Sequence, residues 1–334
     1  ILWDTDYMNN VFMLDSIRDT MGVTLKYLGY SMNTRDPVAL EAAKQKLIEQ
    51  KQSGVVKAYQ VDETKDKMVA GEAALAVMWS GDAQYAIDLN SDLGESFGRY
   101  TLGLDDQVIP LVSSVNVACG MHAGDPAVMR RTVKLAADAG VAVGAHPGYP
   151  DLQGFGRRDI AMSPDEAYDY ILYQIGALQA FCHATGARMH HVKPHGQLYN
   201  RAAVDPELAR AVAAAVHDAN LDLVLVGLAN SELIRAGQAE GIRTAQEFFA
   251  DRNYTDEGLL VSRKLPDAVI DDEDFAVARV VRAVKEGAIE SASGKLITVK
   301  PDTICIHGDN VHALEFAGKI RTALTEAGVE VKPV

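Results

Sequence analysis

Acidic, amide, basic and imidazole side chains recur at the ends of short apolar stretches in the second part of this chain. Asp88, Asn90 and Asp92 alternate with apolar or small residues, so the three polar groups share one face of a strand. The other candidates follow later apolar stretches: Asn116, His122, His146, Lys193, His195, Glu247, His307 and Asp309. Carboxylates and imidazoles can exchange protons with water, and an ammonium group can stabilise an oxyanion. The residue types therefore predict a hydrolytic or proton-transfer site.

The elements that must position these groups alternate between short apolar runs and long helical periodicities. Strands are predicted at 87–89, 114–118, 142–145, 190–193, 223–226, 244–248 and 303–307. Helices are predicted at 126–139, 164–185, 206–219, 232–239, 274–286 and 312–327, with a capping box at Ser163 and Glu166 that starts the second. This alternation is typical of a parallel α/β architecture. It predicts that the candidate groups lie at the carboxyl ends of neighbouring strands.

The predicted fold is α/β, a distorted seven-stranded β/α (TIM-like) barrel over residues 86–334. That piece has 249 residues, close to the ~250 of a typical barrel. Barrel enzymes build their sites from the carboxyl ends of the strands, where this sequence places its polar residues. A doubly wound open sheet is the alternative, but no glycine-rich dinucleotide fingerprint follows the first strand.

Composition limits the partners that this chain can have. With 32 basic and 46 acidic residues among 334, the net charge of −14 would be repelled by nucleic acid and by anionic lipid. No apolar run approaches the ~20 residues that cross a bilayer. The three scattered cysteines indicate a reducing, cytoplasmic compartment. The chain opens on Ile1 without a secretion signal, which suggests a cut amino terminus.

Residues 1–85 differ in composition from residues 86–334. Both tryptophans and six of the ten methionines precede residue 86, whereas all nine histidines follow it. Helices are predicted at 10–28, 37–50 and 64–70, and strands at 55–61 and 75–79. The stretch resembles a fragment of a periplasmic spermidine/putrescine-binding protein, a family that clamps a cationic ligand between two lobes. The resemblance implies that residues 1–85 are a small α/β fragment of one lobe, ahead of the barrel. It also implies that Trp79 and Asp82 are parts of such a clamp.

Six motifs in order carry a second resemblance: DLNSDLGESFG (88–98), NVACGMHAGDP (116–126), GAHPGYPDLQGFGRR (144–158), HVKPHGQLYN (191–200), EFFADRNY (247–254) and ICIHGD (304–309). Together they resemble the LamB/YcsF family of 5-oxoprolinase A subunits from residue 87 nearly to the carboxyl terminus. Two departures occur: Ser91 replaces an expected cysteine, and residues 310–312 read Asn-Val-His where Thr-Pro-Gly is usual.

The resemblance implies ATP-dependent opening of the cyclic amide 5-oxo-L-proline to L-glutamate, with ATP as co-substrate and the B and C subunits of 5-oxoprolinase as partners. The chain has no phosphate-binding P-loop, and its nearest candidate, Gly287 to Lys295, has the wrong spacing. We therefore expect the partners to handle most of the nucleotide. For proton handling we expect Asp92, His195, Glu247 and Asp309, with Lys193 stabilising charge. The expected substrate-binding residues are Asp88, Asn90, Asn116, His122, His146 and His307.

Two alternatives use other features of the sequence. A metal-dependent, deacetylase-like amide hydrolase would bind a divalent metal with Asp88 or Asp92 together with His122 and His146. No histidine spacing makes this signal strong, so a metal is possible but its ligands stay open. A polyamine-binding module built from residues 1–85 is the third hypothesis.

Overall fold

The computed structural model describes residues 2–60, 64–69, 72–77, 85–307 and 312–334. The chain divides into two compact units, Ile1–Gln84 and Tyr85–Val334. Trp79, Asp82 and Asp309 lie outside the described residues. His307 is described in its backbone only.

The first unit contains a parallel sheet with helices. Its strands are β1 (Val11–Leu14), β2 (Val56–Gln60) and β3 (Leu75–Ala76), in the order β2-β1-β3. Its helices are α1 (Ile17–Tyr27), α2 (Pro37–Ser53) and α3 (Thr64–Val69). The predicted helix over 10–28 is wrong at its start, because Val11–Leu14 is a buried strand. Ser16 then caps α1 by accepting from the backbone N–H of Asp19.

The second unit is a closed barrel, as the sequence predicts. Within the described part of the chain, seven parallel strands close on themselves in chain order, with the last pairing to the first. These strands are β4 (Tyr85–Leu93), β5 (Ser114–Ala118), β6 (Ala142–His146), β7 (Met189–Val192), β8 (Val224–Leu228), β9 (Arg243–Phe249) and, after a hairpin, β12 (Thr303–His307). A further parallel strand, β13 (Val329–Val331), pairs with the beginning of β4.

The segments that connect the strands are mainly helical. They are α4 (Asp105–Val108), α5 (Pro126–Asp138), α6 (Pro164–Thr185), α7 (Gly196–Ala202), α8 (Pro206–Ala219), α9 (Glu232–Ala239), α10 (Glu273–Glu286) and α11 (His312–Glu326). The apolar core lies between these helices and the strands, and includes Leu89, Val117 and Ile175. No helix in the described ranges has the length and apolar character needed to cross a membrane.

Short polar caps followed by proline set where three of these helices begin. Asp125, Ser163 and Asp205 each accept hydrogen bonds from the first turn, and the next residue is proline in each case. The predicted capping box at Ser163 and Glu166 is confirmed. These caps fix the loops that precede the helices, and those loops carry the site.

The segment nearest in sequence to a P-loop forms a hairpin. Strands β10 (Ala288–Glu290) and β11 (Leu296–Thr298) pair antiparallel, with Ile289 opposite Ile297. A phosphate-binding loop instead joins a strand to the amino terminus of a helix. Residues 287–295 therefore do not have the local structure of a phosphate-binding loop.

Candidate active site

The barrel interior is polar, and its lowest layer is built on Asp88. The Asp88 carboxylate accepts hydrogen bonds from the hydroxyls of Ser113, Ser114 and Thr303 at 2.6–2.8 Å. Burial raises the pKa of Asp88, although the three hydroxyls oppose the rise. Since its oxygens are engaged by the barrel wall, Asp88 supports the layer above it.

The middle layer orients two amide side chains. Asn90 donates to Glu247 Oε1 at 3.0 Å and to Thr303 Oγ1 at 2.7 Å. Asn116 donates to Asn90 Oδ1 at 2.7 Å and to Asp92 Oδ1 at 2.8 Å, and His191 contacts Asn116 Oδ1 at 2.8 Å. Both N–H bonds of each amide are thereby used, so the layer is fixed in one orientation.

Lys193, just after β7, lies between two carboxylates. Its Nζ is 2.8 Å from Asp92 Oδ1 and 2.8 Å from Glu247 Oε1. Burial lowers the pKa of Lys193, but the negative charges of Asp92 and Glu247 outweigh burial and raise it well above its ordinary value. The ammonium group therefore stays charged and holds Asp92 beside the cavity.

Three histidines and a glutamate form the upper layer. His146 Nε2 lies 3.3 Å from Asp92 Oδ2 and 3.0 Å from His195 Nδ1. Glu95 Oε1 lies 3.5 Å from His122 Nε2 and 3.7 Å from His195 Nδ1. Burial, followed by the neighbouring histidines, lowers the pKa values of His122 and His195 well below 6.5. These two imidazoles are therefore neutral at physiological pH.

Backbone conformation brings the loops close enough to build this layer. Gly156 has φ +63°, and a Cβ there would lie 2.8 Å from His195 Cδ2 and 2.9 Å from the His122 Cβ. Phe155 adopts φ +55°, which is unusual for a residue with a side chain, and its carbonyl oxygen lies 2.9 Å from His195 Nε2. Such strain persists where the surroundings enforce it, as at functional sites.

A cavity of about 790 Å³ opens above these layers. Asp92, Glu95, His146, Lys193 and His195 line it. Besides Lys193 the lining includes five basic side chains, although the chain carries a net charge of −14; they are Arg157, Arg158, Arg252, Arg263 and Lys264. The acidic side chains of the lining are Asp92, Glu95 and Asp159. A lining with more basic than acidic side chains suits an anionic small molecule.

Arg252 is the most buried of these cations. Its Nε and Nη2 donate to the carbonyl oxygens of Ala268 and Val261, at 3.0 and 2.6 Å. Among the described residues no carboxylate forms an ion pair with it, and burial followed by the charge of Arg263 lowers its pKa to about 10. The nearby Asp251 opposes this lowering of the pKa. A buried cation that lines a cavity and donates to backbone carbonyl oxygens is suited to bind an anion.

The sequence predictions of the site separate into three groups. Four predicted residues line the cavity, namely Asp92, His146, Lys193 and His195. A second set supports them from below or beside: Asn90, Asn116, His122 and Glu247, with Asp88 in the lowest layer. Asp309 and the side chain of His307 fall outside the described parts.

Sequence reasoning did not single out Glu95 or Arg252. Glu95 lies three residues beyond Asp92, and Arg252 lies three residues beyond the end of β9. Their positions inside the first and fifth motifs were the available signals. Neither belongs to a strand face, so period-two alternation could not find them.

The layers together can perform acid–base chemistry on a neutral, hydrogen-bonding substrate group. Asp92 lines the cavity, and its carboxylate lies 2.8 Å from the charged ammonium group of Lys193 and 3.3 Å from His146, which suits removal of a proton from water. Glu95, His122, His146 and His195 also bring potential metal-ligand atoms within 4.8 Å of one another. The site therefore offers a base and a set of residues that could hold a divalent cation.

Comparison with known proteins matches the barrel unit. Residues 87–334 match the LamB/YcsF family. The chain is 57% identical over 250 residues to the A subunit of the Bacillus subtilis 5-oxoprolinase, covering 75% of this chain and 97% of that protein. The A subunit of the Bacillus licheniformis 5-oxoprolinase is 56% identical over 246 residues, covering 74% of this chain and 97% of that protein.

Solved structures give the same picture for the barrel. The lactam utilization protein from Thermus thermophilus is 47% identical, with a TM-score of 0.71, and the match covers 75% of this chain and all of that one. A spermidine/putrescine substrate-binding protein from Streptococcus pneumoniae is 36% identical over a quarter of each chain, with a TM-score of 0.24. That second likeness is too limited to support a conclusion about function.

Proposed function

The chain belongs to the LamB/YcsF family, and from this premise we propose that it is the first of the three components, the A subunit, of an ATP-dependent 5-oxoprolinase. The reaction is the opening of the cyclic amide 5-oxo-L-proline to L-glutamate with hydrolysis of ATP. The observation that supports this proposal most directly is the 57% identity to the A subunit of a 5-oxoprolinase, across 97% of that protein. The barrel unit is the part of the chain to which the proposal applies.

The charge distribution of the cavity supports this substrate. 5-Oxoproline carries one carboxylate and one neutral amide, so it needs a cation at one end and proton-transfer groups at the other. Arg252 and the other basic side chains supply positive charge to the cavity that Asp92 also lines. We propose that Arg252 binds the substrate carboxylate and that the ring amide points toward Asp92.

The roles of Lys193, Glu247 and Asp92 follow from their contacts. Asp92 would remove a proton from the attacking water, because it lines the cavity and its carboxylate lies 2.8 Å from the Lys193 ammonium group. Lys193 would also stabilise negative charge that develops on the substrate oxygen. Glu247 does not line the cavity and contacts Lys193, so it would act by positioning that ammonium group.

Nucleotide use is assigned mainly to partner subunits. An amide carbonyl is a poor electrophile, and transfer of a phosphoryl group to its oxygen would make addition of water easier. The hairpin at β10 and β11 lacks the strand–loop–helix form that binds phosphates. We propose that the B and C subunits handle ATP, while this barrel binds the lactam or its phosphorylated form and adds water.

The proposed location is the cytoplasm, which the three buried free cysteines support.

The proposal is tested by combining the full chain with purified B and C subunits. We expect L-glutamate to form from 5-oxo-L-proline only when ATP and all three proteins are present. Asp92→Asn should abolish glutamate formation, with Glu166→Gln on the exposed start of α6 as a control that keeps it. Glutamate formation that continues without this chain, or unchanged with Asp92→Asn, would refute the proposal or the role of Asp92, respectively.

A further inference from the structure

Two histidines in the upper layer, His146 and His195, each direct one ring nitrogen at a backbone carbonyl oxygen and the other at the neighbouring ring. His146 Nδ1 is 2.7 Å from the carbonyl oxygen of Lys193, and His195 Nε2 is 2.9 Å from that of Phe155. A carbonyl oxygen can only accept, so each of these ring nitrogens carries a proton. The other two ring nitrogens, His146 Nε2 and His195 Nδ1, lie 3.0 Å apart. Together with Glu95 and His122 they form a group whose potential metal-ligand atoms lie within 4.8 Å of one another.

The outer contacts of both rings have the form that metal sites use. A metal-binding histidine usually donates its other ring N–H to a carbonyl or carboxylate, which fixes the tautomer and the ring orientation. Both histidines do so here through backbone carbonyls. The rings are nearly perpendicular, at 86°, and the two nitrogens that do not contact a carbonyl oxygen are the ones that lie 3.0 Å apart. The carbonyl contacts therefore leave one nitrogen of each ring directed to the same place.

Glu95 completes the set. Its Oε1 lies 3.7 Å from His195 Nδ1, and this buried oxygen has no hydrogen-bond partner in the described structure. Neighbouring ligands of a tetrahedral zinc ion are about 3.3 Å apart when zinc–nitrogen bonds are ~2.0–2.1 Å. The observed separations of 3.0 and 3.7 Å bracket that value. A buried carboxylate oxygen that accepts no hydrogen bond and lies close to two imidazole nitrogens is what a bound divalent cation would satisfy.

His122 has a different relation to this set. Its ring is stacked on that of His195, with centroids 3.7 Å apart and planes 2° from parallel. A metal lies near the plane of an imidazole that binds it, so these two parallel rings cannot both bind one ion as they stand. Both nitrogens of His122 are buried without a hydrogen-bond partner among the described residues. His122 is therefore placed to contact a further ligand of the ion, such as water.

We infer that Glu95, His146 and His195 bind one divalent transition-metal ion of the zinc class, with a remaining position that faces the cavity. Two imidazoles and one carboxylate are a known ligand set of catalytic zinc sites, which keep a position open for water. Asp92 Oδ2 lies 3.3 Å from the ligand atom of His146. The inference rests on the geometry of the chain and does not depend on the substrate proposed above.

The test is metal content, measured on the purified full-length chain without partners or substrate. The chain is stripped with a chelator, loaded with zinc, passed through a desalting column and measured by inductively coupled plasma mass spectrometry. We expect about one zinc ion per chain. Glu95→Gln and His195→Ala should each retain less than about a tenth of that amount, because each removes one of three ligands.

His191→Gln is the matched control. His191 is also a buried barrel histidine, but it contacts Asn116 and lies outside the ligand set. Glutamine can donate the same hydrogen bond, so this variant should keep its zinc. Circular dichroism verifies that each variant is folded.

Loading the unsubstituted chain with cobalt gives a readout that does not depend on folded variants. We expect the intense visible absorption of cobalt in a four- or five-coordinate site. A folded unsubstituted chain that binds neither zinc nor cobalt would overturn the inference, as would full zinc retention by Glu95→Gln and His195→Ala. A chain that binds zinc yet forms no glutamate with its partners would instead count against the proposed function alone.

Discussion

Replacement of Lys193 by methionine is the most informative perturbation of the barrel interior. Methionine keeps most of the side-chain volume but removes the positive charge between Asp92 and Glu247. At an effective dielectric constant of about 20, each 2.8 Å contact is worth roughly 6 kcal/mol before desolvation. Burying the three ions costs several kcal/mol per ion, so most of this attraction is offset. Breaking a buried pair has a net cost of about 3–5 kcal/mol, which is our expectation for Lys193→Met.

The second variant separates lost charge balance from lost packing. Lys193→Met leaves two buried carboxylates without their cation, whereas Lys193→Met/Glu247→Gln leaves one. If charge is the cause, the double variant should be about 2 kcal/mol more stable than the single variant. The destabilisation of the single variant should also shrink as pH falls. A buried carboxylate that has lost its cation is costly only while it is charged, so the penalty is present at high pH and is lost as protons bind.

The assay is urea denaturation followed by far-ultraviolet circular dichroism. Tryptophan fluorescence would be misleading, because both tryptophans precede residue 85 and therefore report on the first unit. Equal stability of Lys193→Met and the unsubstituted chain would refute the argument that this ammonium group neutralises the barrel interior. A double variant no more stable than the single one would show that packing, and not charge, explains the loss.

Three further predictions concern the cavity and its support. Arg252→Gln should raise KM for 5-oxo-L-proline about tenfold or more with a smaller change in kcat. Steady-state kinetics of the three-subunit enzyme measure both constants, and an unchanged KM would exclude carboxylate binding by Arg252. Gly156→Ala should lower the melting temperature more than Gly241→Ala. Both glycines have positive φ, but only a Cβ at residue 156 would contact His195 and His122. Equal shifts of the melting temperature in calorimetry would contradict this steric explanation. Glu247→Gln should lower kcat and leave KM nearly unchanged, because Glu247 contacts Lys193 and does not line the cavity; a change confined to KM would contradict this positioning role.

The sequence predicts the barrel well because its strands and helices follow simple rules. Predicted strand 114–118 and helix 164–185 match β5 and α6 in full, since proline and a serine cap fix the start of the helix and buried β-branched residues favour the strand. At the amino terminus, by contrast, the prediction of a helix through Val11–Leu14 is wrong. A four-residue apolar run has no distinguishing period, and only the parallel pairing with β2 and β3 decides its conformation.

The site was predictable where it follows strand alternation. Asp88, Asn90 and Asp92 share a face, and the structure stacks them in successive layers of the barrel. The sequence could not tell that Asp88 is covered by hydroxyls while Asp92 reaches the cavity, because depth along a barrel axis depends on strand stagger. Glu95 and Arg252 lie in loops, and their approach to the site depends on tertiary packing that no local pattern encodes.

Formation of glutamate by the reconstituted enzyme tests the central proposal most directly. The full chain is incubated with the B and C subunits, ATP and 5-oxo-L-proline labelled in the ring, and labelled L-glutamate and ADP are measured together. The account predicts that both products require the unsubstituted barrel and that Asp92→Asn forms no labelled glutamate. Labelled glutamate at the full rate with Asp92→Asn, or none from the complete unsubstituted mixture, would contradict it.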